Sequence, residues 1–174
     1  ANLGFMKTAF LEVGGHNGNS VSSGDDVFLL HKINKHFKDS VIFNRDVKAI
    51  VECEASLNLV SFFNQRKRWA GKWQYYKDLP TQILALFIFL VNLATLLLPL
   101  LVLSNLINWL LAVNLLIAKI VFEFLFLREV QKFFNSKFLL HEFLILAIMY
   151  PVYVTFMAIT GPLGKYNWKG RSSQ

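Results

Sequence analysis

The chain has 174 residues, 55% of them hydrophobic, and a mean hydropathy of +0.43, which is too apolar for an ordinary water-soluble domain of this length. Its formal charge of +7 comes from basic residues that cluster at the edges of the apolar runs, where anionic headgroups lie, so the charge points to a lipid bilayer and not to nucleic acid. The single cysteine, Cys53, excludes an intrachain disulfide and a cysteine-based metal cage.

The chain opens Ala1-Asn2-Leu3-Gly4, with neither a start Met nor a signal-peptide pattern, and reads as the C-terminal piece of a longer protein. Leu3, Phe5, Met6, Phe10, Leu11 and Val13 are followed by a loop by composition, Gly14-Gly15-His16-Asn17-Gly18-Asn19-Ser20. This loop lacks the Gly-Lys-Ser/Thr ending of a phosphate loop, so it is assigned to turns. Val27, Leu30, Ile33 and Phe37 recur at helical spacing and predict a helix over 25–37, with Ser22, Ser23 and Asp25 available as caps. Short strands are predicted over 41–43 and 47–52, the second with Val47, Ala49 and Val51 on one face.

Ser56 can cap a second helix over 57–76, in which Phe62, Phe63, Trp69 and Trp73 interleave with Arg66, Lys67, Arg68, Lys72 and Lys77. That mixture suits a helix lying at a membrane surface. Three apolar runs follow over 79–103, 106–127 and 138–159, each near the ~20 residues that cross a bilayer core. Ser104-Asn105 joins the first two, and a basic segment with Arg128, Lys132 and Lys137 joins the second and third. The positive-inside tendency places both basic segments in the cytoplasm. The tail, 164–174, then lies outside despite Lys165, Lys169 and Arg171, either as an exception or because the third span is re-entrant near Pro151.

Two motifs carry possible chemistry. Gly24-Asp25-Asp26 puts two carboxylates at a helix start, where they can cap the helix and complement its dipole, or serve as a general base toward an attacking hydroxyl. Gln65-Arg66-Lys67-Arg68-Trp69 groups an amide, a guanidinium and an indole on neighbouring helical faces. The group can anchor a helix in the headgroup layer, or hold a diphosphate through Arg68 and a sugar ring on Trp69. His16, His31, His36 and His141 have no convergent metal spacing, and no metal site is assigned within the chain. Lys119 and Glu123 stand one turn apart inside the second span and are expected to pair, either as a buried structural pair or along a polar path for a glycan.

The order of these features resembles the membrane-bound family 2 glycosyltransferases, which include cellulose, hyaluronan and poly-N-acetylglucosamine synthases. Residues 1–78 carry the likeness: Asn2-Leu3-Gly4-Phe5-Met6-Lys7, the Val13-Gly14-Gly15 turn, Gly24-Asp25-Asp26 and Gln65-x-x-Arg68-Trp69. The resemblance implies an α/β fold, the later part of a GT-A-like nucleotide-sugar transferase domain over 1–56. An interfacial helix over 57–78 and a transmembrane bundle over 79–163 complete the expected layout. It also implies a catalytic pair, Asp26 as base beside Asp25, with Gln65, Arg68 and Trp69 contacting acceptor and diphosphate. Gly24 and Asp25 depart from the family's common Thr-Glu-Asp form, which leaves the division of labour between the two aspartates open.

The activity implied is an inverting, hexosyltransferase-type transfer from a nucleotide-sugar donor to a glycan or lipid-linked acceptor, serving cell-surface polysaccharide synthesis at a bacterial inner membrane. A divalent metal, Mg or Mn, is implied by the family. Its Asp-x-Asp ligands belong to an N-terminal half, so these residues alone are expected to be inactive. The alternative is a noncatalytic membrane subunit or channel of a polysaccharide export system, in which the acidic and aromatic motifs are only caps and anchors.

Overall fold

The computed structural model describes residues 2–17, 24–72, 75–76, 78–136, 139–163, 167–168 and 171–172. They fall into two compact units, Ala1–Gln82 with Gly161–Gln174, and Ile83–Thr160. Ser22 and Ser23, Trp73, Lys77, Lys137, Lys165 and Lys169, to which the sequence reading gave roles, lie outside the described residues.

In the first unit, α1 (Lys7–Glu12) ends on Gly14 and Gly15 at φ 73° and 54°, the left-handed region that glycine enters without penalty. Gly15 is also required for space: a Cβ there would lie 2.7 Å from the Phe10 ring, which stacks on Phe5 at 5.3 Å. Helix α2 (Asp25–His36) carries Asp25 and Asp26 in its first turn and Lys35 and His36 in its last, each matching the sign of the helix dipole. Lys32 Nζ donates to the carbonyls of Gly15 and Asn17, and His36 Nε2 meets Glu12 Oε1 at 3.0 Å, which fixes α1 against α2. Leu29, 1% exposed, is the centre of this small core.

Helix α3 (Leu59–Ala70) starts at Asn58 and not at Ser56, because Asn58 and Ser61 form a reciprocal capping box: Ser61 N–H donates to Asn58 Oδ1 at 2.8 Å. It stops at Ala70, short of the predicted residue 76. Gly71, which C-caps the helix with its N–H on the Lys67 carbonyl at 2.8 Å, packs against Gly161. A Cβ on Gly71 would lie 2.9 Å from the Gly161 carbonyl oxygen, and one on Gly161 would lie 2.7 Å from Ala70 Cβ, so the two backbones meet without intervening side chains.

The α/β expectation is overturned. Residues 41–46 have no regular structure and Val47–Ala49 form a single 3₁₀ turn capped by Asp46, which accepts from Lys48 N–H at 2.9 Å. Alternation makes a strand only where a neighbouring strand takes up the backbone hydrogen bonds, and among the described residues none pairs with this segment. Its apolar side chains show the consequence, with Ile42 86% and Phe43 72% exposed. The strand pairing among the described residues is a two-residue antiparallel hairpin, β1 (Asn167–Trp168) with β2 (Arg171–Ser172). Among the described residues the architecture is helical, with no α/β domain.

Three long helices make up most of the remainder: α4 (Leu79–Leu103), α5 (Trp109–Phe134) and α6 (Leu140–Leu163). Each is long and apolar enough to cross a membrane. Asp78 caps α4 by accepting from Thr81 N–H at 3.0 Å and from the Thr81 hydroxyl, and these bonds hold its carboxyl below the usual carboxylate range. Asn108 caps α5, which runs past Leu127 until Asn135 ends it in a left-handed conformation. Thus Arg128 and Lys132 sit on helix, not in a loop, with Lys132 paired to Glu129. Helix α6 runs unbroken through Pro151. Large apolar side chains such as Leu90, Phe122 and Ile148 face outward, as lipid-solvated helices require.

Candidate functional site

The acidic motif begins with a constrained glycine. Gly24 caps α2 at φ 99°, and the side chain of Lys72, two residues beyond the end of α3, lies against it. A Cβ at position 24 would come within 3.0 Å of Lys72 Nζ and 3.1 Å of its Cδ and Cε. Glycine is therefore needed twice here, for backbone conformation and for room.

Lys72 is only 9% exposed. Burial pulls its ammonium below the ordinary lysine value, the nearby Arg68 charge adds to that effect, and Asp26 and Asp25 oppose it. Tyr76 approaches the same helix, its ring 6.0 Å from Phe28 and 5.5 Å from His31. Its phenol is pushed up by burial and by the charge of Asp26. The charges of Arg68, Asp26 and Asp25 thus reach Lys72, and that of Asp26 reaches Tyr76, which brings the segment after the Gln-x-x-Arg-Trp helix to the acidic turn.

Gln65 and Trp69 are placed differently. Gln65 Oε1 is 3.4 Å from the Ser56 hydroxyl. The Trp69 ring is 45% exposed, with the Arg66 guanidinium 4.6 Å from its centre and 5.0 Å from that of Phe62. Arg66 thus takes up part of the indole surface expected to carry a sugar ring, and its buried Nε–H, which has no hydrogen-bond partner, is compensated by these two rings.

Lys72, Tyr76 and Arg66 were missed as site residues by sequence reasoning. Lys72 follows Arg68 by four, so helical spacing was a usable signal, but it was absorbed into the general basic character of the segment. Among the described residues no three His, Cys, Asp or Glu side chains converge to hold a metal ion. His16 packs edge-on against Phe10 and His36 against Phe37.

The second unit has its own polar feature. Lys119 Nζ bonds Glu123 Oε1 at 2.6 Å, with side chains 9% and 28% exposed. Glu123 and Tyr150 edge a cavity of about 160 Å³ whose other walls include Phe126, Leu127, Phe143 and Leu146.

The model of glycosyl transferase family group 2 matches residues 1–159, from before α1 to near the end of α6. The chain belongs to that family. No curated protein and no solved structure gives a significant match. As a family 2 glycosyltransferase it acts on a sugar donor and an acceptor, and its three apolar helices fit a membrane protein. The membership also gives the acidic turn and the basic helix a chemical context that neither has alone.

Proposed function

We propose that this glycosyltransferase is inverting and of hexosyltransferase type, moving a sugar from a nucleotide-sugar donor to a glycan or lipid-linked acceptor for cell-surface polysaccharide synthesis. Asp26 accepts the proton of an acceptor hydroxyl as its oxygen attacks the anomeric carbon from the face opposite the leaving group. The bond from that carbon to the nucleoside diphosphate breaks, its electron pair leaves with the diphosphate, and Arg68 meets the developing charge. Asp25 flanks the base, while Gln65 and the free part of the Trp69 ring contact the acceptor. No step is routed through a metal ion.

The observation that carries this reading is the seating of Lys72 against Gly24, within electrostatic reach of Asp25, Asp26 and Arg68, which supports a carboxylate base and the Arg68 cation acting in one neighbourhood. Arg66, Lys67, Arg68 and Lys72 before α4, and Arg128 and Lys132 after the apolar part of α5, support a cytoplasmic placement of the catalytic part, at the inner membrane of a bacterium.

The test is transfer by membranes containing the complete protein, supplied with a panel of labelled nucleotide sugars. Transfer from one donor that Asp26→Asn abolishes, at normal expression, is the expected result. Full activity in Asp26→Asn moves the base elsewhere, and absence of transfer from every donor by well-folded protein favours a noncatalytic membrane subunit.

A further inference from the structure

The side chain least accounted for by this mechanism is Lys72. The residue is 9% exposed, its ammonium has no hydrogen bond or ion pair seen among the described residues, and the charges of Asp26 and Asp25 act on it. Burial covers the stem and draws water partly away from the ammonium, which a lysine usually carries fully into solvent. Here the stem is folded over Gly24, whose missing side chain makes the room. The ammonium is also held near a second cation, Arg68, against their mutual repulsion. Two cations kept close and partly dehydrated form a place where a multiply charged anion gains from both at once.

We propose that Lys72 is a second diphosphate-binding residue, its ammonium working with Arg68 to hold the donor's diphosphate and then the departing nucleoside diphosphate. This inference rests on the reading given under Proposed function. When the bond to the anomeric carbon breaks, the diphosphate keeps the electron pair and gains a negative charge. Lys72 meets that charge in its ammonium form, and no proton moves in the step. Gly24 is then a specificity residue at one remove: its bare Cα sets where the ammonium stands.

The experiment measures inhibition of transfer by UDP or GDP, whichever matches the accepted donor, in membranes with the complete protein. Lys72→Met keeps the apolar stem and removes the charge. It is expected to raise the inhibition constant of the nucleoside diphosphate by about tenfold or more and to lower kcat, with the acceptor KM unchanged. Lys72→Arg restores most of the inhibition. Gly24→Ala reads the same property without touching the lysine: it displaces the ammonium and weakens nucleotide inhibition in the same direction, which keeps the test decisive should Lys72→Met fail to fold. Unchanged inhibition by the nucleoside diphosphate in active Lys72→Met overturns the proposal, as does a change confined to the acceptor KM, which assigns the ammonium to a lipid-linked acceptor. Asp26→Asn separates the two claims. If it keeps full transfer, the mechanism fails whatever Lys72 does; if it abolishes transfer while Lys72→Met binds the nucleotide normally, only the present inference fails.

Discussion

The two units solve the problem of holding side chains in place by opposite means. Ile83–Thr160 consists of apolar helices whose large side chains mostly face outward; Lys119 is met by Glu123 one turn on and Asn92 Nδ2 donates to the Ile88 carbonyl at 2.8 Å, while Asn92 Oδ1 and Thr155 Oγ1 are buried without a partner. Among its described residues the first unit has one fully buried large side chain, Leu29, and it relies on individual contacts such as Lys32 to the Gly15 carbonyl and Lys72 over Gly24. In the apolar unit the solvent enforces the fold, since lipid offers backbone groups no partner outside the helix. In the other, particular side chains do, and substitutions there should act on chemistry as well as on shape.

The sharpest way to break this contrast is Asp26→Asn in the complete protein. Loss of a general base lowers transfer by about 10²–10⁴-fold; equal expression and unchanged thermal aggregation in detergent should show that shape is retained. Next in size is Glu123→Leu, which strands Lys119 in an apolar setting and should cost roughly 2–4 kcal/mol of stability. Lys119→Leu combined with Glu123→Leu should recover most of that loss, and a double variant no more stable than the single one would refute the pairing. If the recovered double variant also exports product normally, the pair is structural and lines no glycan path.

Gly161→Val tests the contact between the ends of α3 and α6. Its Cβ would meet Ala70 Cβ at 2.7 Å, so overpacking should cost about 1–3 kcal/mol, read as a lower melting temperature in detergent. The smallest thermodynamic effect is expected from Asn58→Ala, which removes the α3 cap for about 1 kcal/mol.

A pH series sharpens the comparison without any loss of fold. Lys72 binds diphosphate in its charged form and its pKa in the folded protein is lowered, so inhibition by UDP or GDP holds at lower pH and fades as pH rises through that lowered value. The fade should therefore begin before an ordinary lysine would titrate, with Arg68 favouring the loss and Asp25 and Asp26 opposing it. Lys72→Arg should carry inhibition to higher pH.

The long helices were legible in the sequence because a bilayer leaves few choices: the first run, 79–103, ends where the observed α4 ends. The second was read short, since hydropathy stops at Leu127 whereas the helix continues on polar residues to Phe134. The strands over 41–43 and 47–52 failed for a different reason. Alternation in Val47, Ala49 and Val51 reports side-chain order but not whether another strand is present to pair with. Of the candidate site, Asp25, Asp26, Gln65, Arg68 and Trp69 could be picked out as motifs. The approach of Lys72 to Gly24 and of Arg66 to Trp69 depends on where the chain turns at Gly71, which no local pattern records.

The meeting of Ala70, Gly71 and Gly161 has a consequence for engineering. A membrane span can usually be exchanged for another of equal length and greasiness, because lipid asks for little else. Here the last turn of α6 is also a mounting plate for the motif helix, and its fit is cut to the width of a missing methyl group. Chimeras that import a generic span should insert into the bilayer yet leave the motif helix unseated, unless the glycine travels with them.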